Sequence, residues 1–424
     1  MADKDKKEEK KVENKEHGKI SILENNADPG KSKEAEASRR RAPKKKIPEE
    51  IGVLLGLVLI FGVFAFICYQ NGKPQFYSPE NLINIARQVS MIVIVAVGMT
   101  FVIISGGIDL SVGSTVAFSG VITAFTISTY TGNTFLGVIA GLLMGLLVGV
   151  FNGFVVANFN VPPFIVTLAT MIGVRGLAFI ACGGSPIDIE GGLLELGSGR
   201  IANIPYPVII MVLVILGGWY LANNLKIGRY IYALGGNEEA ARLSGINVKK
   251  LKIFIFGLSG TLAALAGIIN AGRLGSGDPK EGELFELDAI AAAVVGGTSL
   301  SGGRGKIIGT VLGALIIGVI KNGLDILGVE SYTQMVIKGA VILLAVLIDQ
   351  IRKNEDARIF AIKCSPSIIG IIAGVVLYRA TFPSIGFLPA MIMAIAVLIG
   401  TGYLGYKVID KTVYRKDQHN PSPV

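Results

Sequence analysis

Five ionisable residues stand inside or at the edge of long apolar stretches: Asp109, Arg175, Glu286, Asp288 and Lys338. A charge placed there is costly in a bilayer and generally faces protein or a water-filled cavity. Two jobs are open to such groups: ordering a backbone loop, or lining a path for a polar solute. The plain structural alternative is local pairing or snorkelling to the interface. Asp109 with Ser111, and Glu286 with Asp288, are the candidates for path lining or loop ordering. Asp109 or Asp288 would also serve if a titrating carboxylate coupled the chain to protons. Catalysis has much less to draw on. His17 and His419, the only histidines, lie in the polar tails, and Cys68, Cys182 and Cys364 have no metal-binding or redox spacing. No catalytic residue and no metal site are expected. The nearest imitation of a phosphate loop is Leu300-Ser301-Gly302-Gly303-Arg304-Gly305-Lys306-Ile307. It has Leu where backbone approach needs Gly, and Ile where magnesium binding needs Ser or Thr. Fuel is therefore expected from a separate ATPase subunit or from an ion gradient.

The elements that must hold these groups are read from composition. The 424 residues are 51% hydrophobic and only 17% charged, with a mean hydropathy of +0.60. About 20 apolar residues cross a hydrocarbon core, and runs of that length recur. They fall near 51–69, 88–105, 113–130, 134–158, 163–183, 205–223, 251–272, 284–299, 305–325 and 332–350. Two more lie near 366–380 and 388–406, and the 284–299 run is short enough to be partly re-entrant. The fold class expected is all-α, a polytopic transmembrane bundle of ten spans with an extra C-terminal hairpin. The first apolar run is expected to be an uncleaved span, since no small-x-small cleavage site follows it.

The net charge of +9 takes its meaning from position. Residues 1–47 mix Arg39-Arg40-Arg41 and Lys44-Lys45-Lys46 with Glu8, Glu9, Glu13, Glu34 and Glu36, and carry no aromatic residue to stack on bases. A disordered cytoplasmic tail that touches anionic lipid is expected rather than a nucleic-acid binder. With that tail inside, six spans return the 224–250 loop, with Lys226, Arg229, Arg242, Lys249 and Lys250, to the cytoplasm. Ten spans do so for Arg352, Lys353, Arg358 and Lys363, and twelve for the basic tail 407–424 with Lys407, Lys411, Arg415 and Lys416. Connections on the other side are richer in acids, as at Asp188, Glu190 and Asp278 to Glu286, in keeping with the positive-inside rule.

Two glycine patterns stand out. Gly137, Gly141, Gly145, Gly149 and Gly153 recur at every fourth residue, the stripe of a close helix–helix seam. The segments Gly106–Gly113 and Gly296–Gly303 share the pattern GGxxLSxG, and each breaks an apolar run. Broken helices in transporters cluster near the transport path.

The most informative stretch is soluble. In Gly235-Gly236-Asn237-Glu238-Glu239-Ala240-Ala241-Arg242-Leu243-Ser244-Gly245 a short helix is fully specified. Asn237 can cap it, Glu238 and Glu239 suit its positive end, Ala240 and Ala241 favour it, and Gly245 can stop it. So short a helix is marginal alone and needs a surface, either its own bundle or a partner subunit.

The run GRYIYALGGNEEAARLSGINVKKLKI, from Gly228, resembles the cytoplasmic loop of ribose-type ABC transporter permeases. Gly98-Met99-Thr100 through Gly106-Gly107-Ile108-Asp109-Leu110-Ser111-Val112-Gly113-Ser114 is similar to the same family's GMT…GIDLSVGS signature. Glu286-Leu287-Asp288-Ala289-Ile290-Ala291-Ala292 with Val295-Gly296-Gly297-Thr298-Ser299-Leu300, and then Ser331-Tyr332-Thr333-Gln334-Met335, continue the likeness. It runs from about the second span to the tenth. The resemblance implies a ten-span core over 48–352, paired with a second permease copy, seated on an ABC ATPase that uses ATP and magnesium, and fed by an extracytoplasmic sugar-binding protein. Its cargo would be a monosaccharide, ribose or a related pentose or hexose, and its membrane the bacterial cytoplasmic one. The family's coupling loop falls on Gly235 to Ile246, so this short helix would dock in the ATPase. The chain departs from the family in its long N-terminal tail and in the linker and hairpin of 353–406. An ion-coupled secondary transporter of a small polar solute is the competing expectation.

Overall fold

A computed structural model describes residues 49–353. The tails 1–48 and 354–424 lie outside the described residues, and with them the basic clusters, both histidines, Cys364 and the expected C-terminal hairpin.

Among the described residues there are thirteen α-helices. The first five are α1 (Glu49–Gln70), α2 (Pro79–Ile104), α3 (Val112–Thr126, continued by a π-turn over Ile127–Thr131), α4 (Thr134–Phe159) and α5 (Pro163–Ala181). A short α6 (Gly192–Ser198) precedes α7 (Tyr206–Asn224), α8 (Lys226–Gly236) and α9 (Glu238–Leu243). Then follow α10 (Val248–Leu274), α11 (Phe285–Val295), α12 (Ile307–Leu327) and α13 (Ser331–Lys353). Sheet is limited to two antiparallel scraps, β1 (Ile187–Asp188) with β4 (Ser276–Gly277) and β2 (Arg200–Ile201) with β3 (Ile204–Pro205). The chain is an all-α membrane bundle, as composition requires: in lipid every backbone polar group must be satisfied within its own segment.

Local sequence explains the boundaries. Ser78 accepts the Asn81 amide at 3.2 Å and Pro79 opens α2. Asn133 accepts the amides of Phe135 and Leu136 at the start of α4. Asn247 caps α10 through the Lys250 amide at 3.1 Å. These residues satisfy amides that a helix start leaves without partners.

Eight helices are long and apolar enough to cross a membrane: α1 to α5, α7, α10 and α12. They match eight of the ten expected runs to within a few residues, save that α2 starts at Pro79, well before 88. The eighth run departs most. Where 284–299 is apolar, the helix α11 has 11 residues, about 16 Å at 1.5 Å per residue, roughly half a hydrocarbon core. The tenth, α13, has 23 residues and carries Lys338 within it.

Helix α2 is the axis, buried continuously from Val89 to Ile104. Around it, α1, α4, α5 and α7 present Leu55, Val58, Leu147, Phe151, Ile172 and Leu213 outward, the apolar exposure that lipid accepts. The five α4 glycines all face α3 and α10. A methyl group at Gly141 would strike Thr123 and the Ser119 carbonyl, at Gly145 it would strike Ala264, and at Gly149 the Phe256 carbonyl. Gly260 of α10 approaches Gly145 and Gly149 in the same way. Dispersion between the approaching backbones takes the place of the hydrophobic drive that lipid removes.

Candidate functional site

The centre of the bundle is made by α3 and the half-length helix α11. Helix α2 ends beside α8, and residues 105–111 then turn back into the bundle before α3 begins. From the other end, residues 275–284 run without helix along α3. Gly277 packs on Gly120, Val121 and Ala124, and Gly282 on Gly113 and Val116. Helix α11 starts there. The first turns of α3 and α11 therefore meet in mid-bundle, so closely that a methyl at Gly113 would overlap the Glu286 carboxylate and the Gly282 carbonyl. Each of these helices is preceded by a non-helical segment, α3 by residues 105–111 and α11 by residues 275–284. The GGxxLSxG echo does not align these two segments, because its second copy follows α11. What its copies share is a helix stop: Gly107 donates to the Val102 carbonyl and Thr298 to the Ala293 carbonyl, after left-handed Gly106 and Gly297. The structural match is thus offset by one residue from the sequence match.

Non-helical backbone at this depth needs partners, and the buried polar side chains provide them. The Asp109 carboxylate accepts the Ser111 amide at 3.0 Å and the Ser111 hydroxyl at 2.6 Å, and its second oxygen accepts the Ser259 hydroxyl of α10 at 3.0 Å. Asn152 of α4 donates to the Ser111 oxygen at 2.9 Å and accepts from Thr170 of α5 at 2.7 Å. Thr167 donates to the Ile108 carbonyl at 3.1 Å. Asp109 has no exposed surface. Its geometry is that of a pin joining the 105–111 segment to α10, with Ser111 extending the link to α4 and α5.

The second segment is pinned by Arg175, whose Nη1 donates to the carbonyls of Pro279 and Glu281, both at 2.6 Å. Asn270 donates to the Glu281 carboxylate at 2.7 Å, and Arg273 donates to the Asn270 oxygen at 3.2 Å. Arg175 is visible in the sequence as a charge in an apolar helix. Its partners are not, since they lie 104 and 106 residues away. Asn152, Thr170, Ser259 and Asn270 were not foreseen either; single polar residues in membrane helices carry no spacing signal.

Glu286 and Asp288 are both on α11 and both buried, but they face different neighbours. Glu286 abuts Gly113, whereas Asp288 pairs with Lys338 of α13 at 2.9 Å. Beside that pair a cavity of about 250 Å³ lies between α11, α12 and α13, with Lys321, Asp325, Gln334 and Lys338 among apolar walls.

At the α9 end, Asn237 accepts the Ala240 amide at 2.9 Å and Gly245 takes a left-handed φ of 82°. Glu239 and Arg242 pair at 2.7 Å on the exposed face, which raises the guanidinium pKa above its ordinary value. Glu238 reaches Lys252 of α10 at 2.7 Å. Ala241 is buried against the bundle, whereas Leu243 is 80% exposed.

Eight membrane-crossing helices, a half-length helix α11 whose first turn meets that of α3, and no long soluble domain among the described residues define the membrane subunit of a solute transporter. The chain belongs to the family described as branched-chain amino acid transport system / permease component, whose model matches residues 81–346. It is 47% identical over 320 residues to the ribose import permease protein RbsC of Escherichia coli (strain K12), covering 74% of this chain and 97% of that one. The Bacillus subtilis (strain 168) ribose import permease protein RbsC is 45% identical over 323 residues, 76% and 98% of the two chains. The L-arabinose transport system permease protein AraH of Escherichia coli (strain K12) is 42% identical over 300 residues, 70% and 91%. No solved structure matches the chain.

Proposed function

We propose that this chain is the membrane-spanning permease subunit of an ATP-binding-cassette importer carrying a monosaccharide, ribose in the first instance, across the bacterial cytoplasmic membrane. It is not an enzyme. Near full-length similarity to ribose permeases, at higher identity than to the arabinose permeases, supports the cargo. The geometric observation that carries the assignment is α9. This capped, six-residue helix is held to the bundle by Ala241 and by Glu238–Lys252, and it turns an apolar Leu243 outward. An exposed leucine at the tip of a soluble helix suits insertion into a groove on another protein.

The family supports an ATPase partner and a sugar-binding protein on the other side. In the reading proposed here, the ATPase binds ATP and magnesium and receives α9, and a second permease copy completes the pair. The positive-inside distribution supports placing the N-terminus and α9 in the cytoplasm. Within the chain, Asp109 and Ser111 tie the 105–111 segment to α10 and α4, and Arg175 of α5 holds the 275–284 segment, while α11, with Glu286 and Asp288, borders the path. ATP hydrolysis on the ATPase would move α9, and the bundle would open and close around α3 and α11.

The test is uptake in liposomes holding this chain with its ATPase, supplied with the ribose-loaded binding protein. Uptake that requires internal ATP and stops with vanadate is expected. Uptake driven by an ion gradient alone would overturn the assignment in favour of a secondary transporter.

A further inference from the structure

We propose that Gly235, at the last turn of α8, is the point through which α9 drives both broken helices at once, with Tyr232 as its second anchor. The proposal rests on the permease assignment above. Three stretches of backbone meet here with no side chain between them. The Gly303 amide donates to the Ile104 carbonyl at 2.8 Å, joining the loop after α11 to the end of α2. Gly235 lies flat on that hydrogen bond: a methyl on it would overlap the Ile104 carbonyl and come within 2.6 Å of the Gly303 nitrogen. Gly302 packs between the Gly235 carbonyl and Gly106, and Gly303 packs on Gly236. Both Gly302 and Gly303 are left-handed, at φ 82° and 71°, a conformation glycine adopts without steric cost. The glycines that imitate a phosphate loop are thus there for backbone approach to the protein itself.

A few residues further on, the Tyr232 hydroxyl donates to the Gly305 carbonyl at 2.8 Å. Burial raises its pKa, so it remains a donor. Toward α9, only Asn237 separates α8 from the exposed helix. Ile104 and Gly106 lead into the segment that carries Asp109 to α3, and Gly302 and Gly303 lie in the loop that joins α11, ending at Val295, to α12. One displacement of α9 is therefore passed toward both α3 and α11 through contacts that have no rotamers to absorb it. Packed interfaces of this kind switch rather than stretch. Gly235 and Tyr232 are positioning residues, since neither lies at the mid-bundle meeting of α3 and α11.

The experiment uses the complete importer in liposomes and reads ribose moved per ATP hydrolysed, with ATPase stoichiometry and thermal unfolding measured on the same preparations. Gly235→Ala is expected to lower the ratio at least tenfold. Tyr232→Phe removes one hydroxyl and is expected to lower it about threefold at unchanged stability, so the test survives if Gly235→Ala misfolds. Gly217→Ala, on α7 away from the junction, is the control: a methyl there meets nothing within 4 Å, and a wild-type ratio is expected. A wild-type ratio in Tyr232→Phe together with a folded, normally coupled Gly235→Ala would overturn the junction. So would an equal loss in Gly217→Ala. Failure of the unaltered chain to retain the ATPase, or to show vanadate-sensitive uptake, would instead remove the permease assignment and the junction with it.

Discussion

Lys338 and Asp288 show what a charge inside the bundle demands. The pair joins α13 to the half-helix α11, and the Asp288 side chain is 8% exposed. Removing one partner strands the other, at a cost of about 3 kcal/mol or more. Lys338→Met is therefore expected to lower the unfolding midpoint in detergent, and the double variant with Asp288→Leu to recover much of the loss. A double variant as unstable as the single one would show that the pair is not the cause. Asp109 differs in having only neutral partners in its hydrogen bonds. Asp109→Ala strands the Ser111 amide and the hydroxyls of Ser111 and Ser259, on the order of 1–3 kcal/mol for each stranded group. Asp109→Asn keeps an acceptor and is expected to lose less, by the same thermal measurement. That Asp109, Glu286 and Asp288 are buried polar groups was legible from their apolar surroundings. That Asp288 pairs with Lys338 while Glu286 meets Gly113 was not, because the partners are remote in sequence.

Helices show the same division. The α4 stripe reads directly as a seam, since glycines at every fourth residue fall on one face. Its tightness is a tertiary fact: Gly149 lies on the Phe256 carbonyl of α10, where a side chain has no exit. Gly149→Leu is expected to abolish folded, detergent-stable protein. Gly176→Ala, on α5 where a methyl meets open space, should leave it unchanged. Size-exclusion profiles of the two variants decide the matter, and a monodisperse Gly149→Leu protein would refute the seam. The half-helix α11 was only half visible. Apolarity marked 284–299 as one short run, but hydropathy says nothing of direction or depth. The extended partner, 275–284, carries Asp278, Lys280, Glu281 and Glu283 and reads as an exterior loop. It sits in the bundle because Arg175 and Asn270 satisfy its polar groups.

For the molecule as a whole, coupling is the property to test. Leu243 is the large apolar side chain that α9 turns outward, and a groove that accepts it would reject a charge. Leu243→Arg is expected to reduce ATPase co-purification at least tenfold and to abolish uptake, while the permease alone keeps its wild-type unfolding midpoint. Undiminished co-purification would place the ATPase contact elsewhere. Pair geometry argues that Glu239→Ala will do far less. Its ion pair with Arg242 is exposed, and solvent screens such pairs so that they contribute little.

The sequence by itself determined the membrane class, most of the helix positions, the α4 seam and the short capped helix α9. Each depends on interactions within one segment, such as transfer of an apolar run into lipid, helical periodicity and a cap three residues away. Tertiary structure alone decided which polar residues pin which backbone, that α3 and α11 meet head to head, and that Gly235 closes on Ile104 and Gly303. Those arrangements join stretches tens to hundreds of residues apart, and glycine, which has no side chain to mark its partner, makes the closest of them.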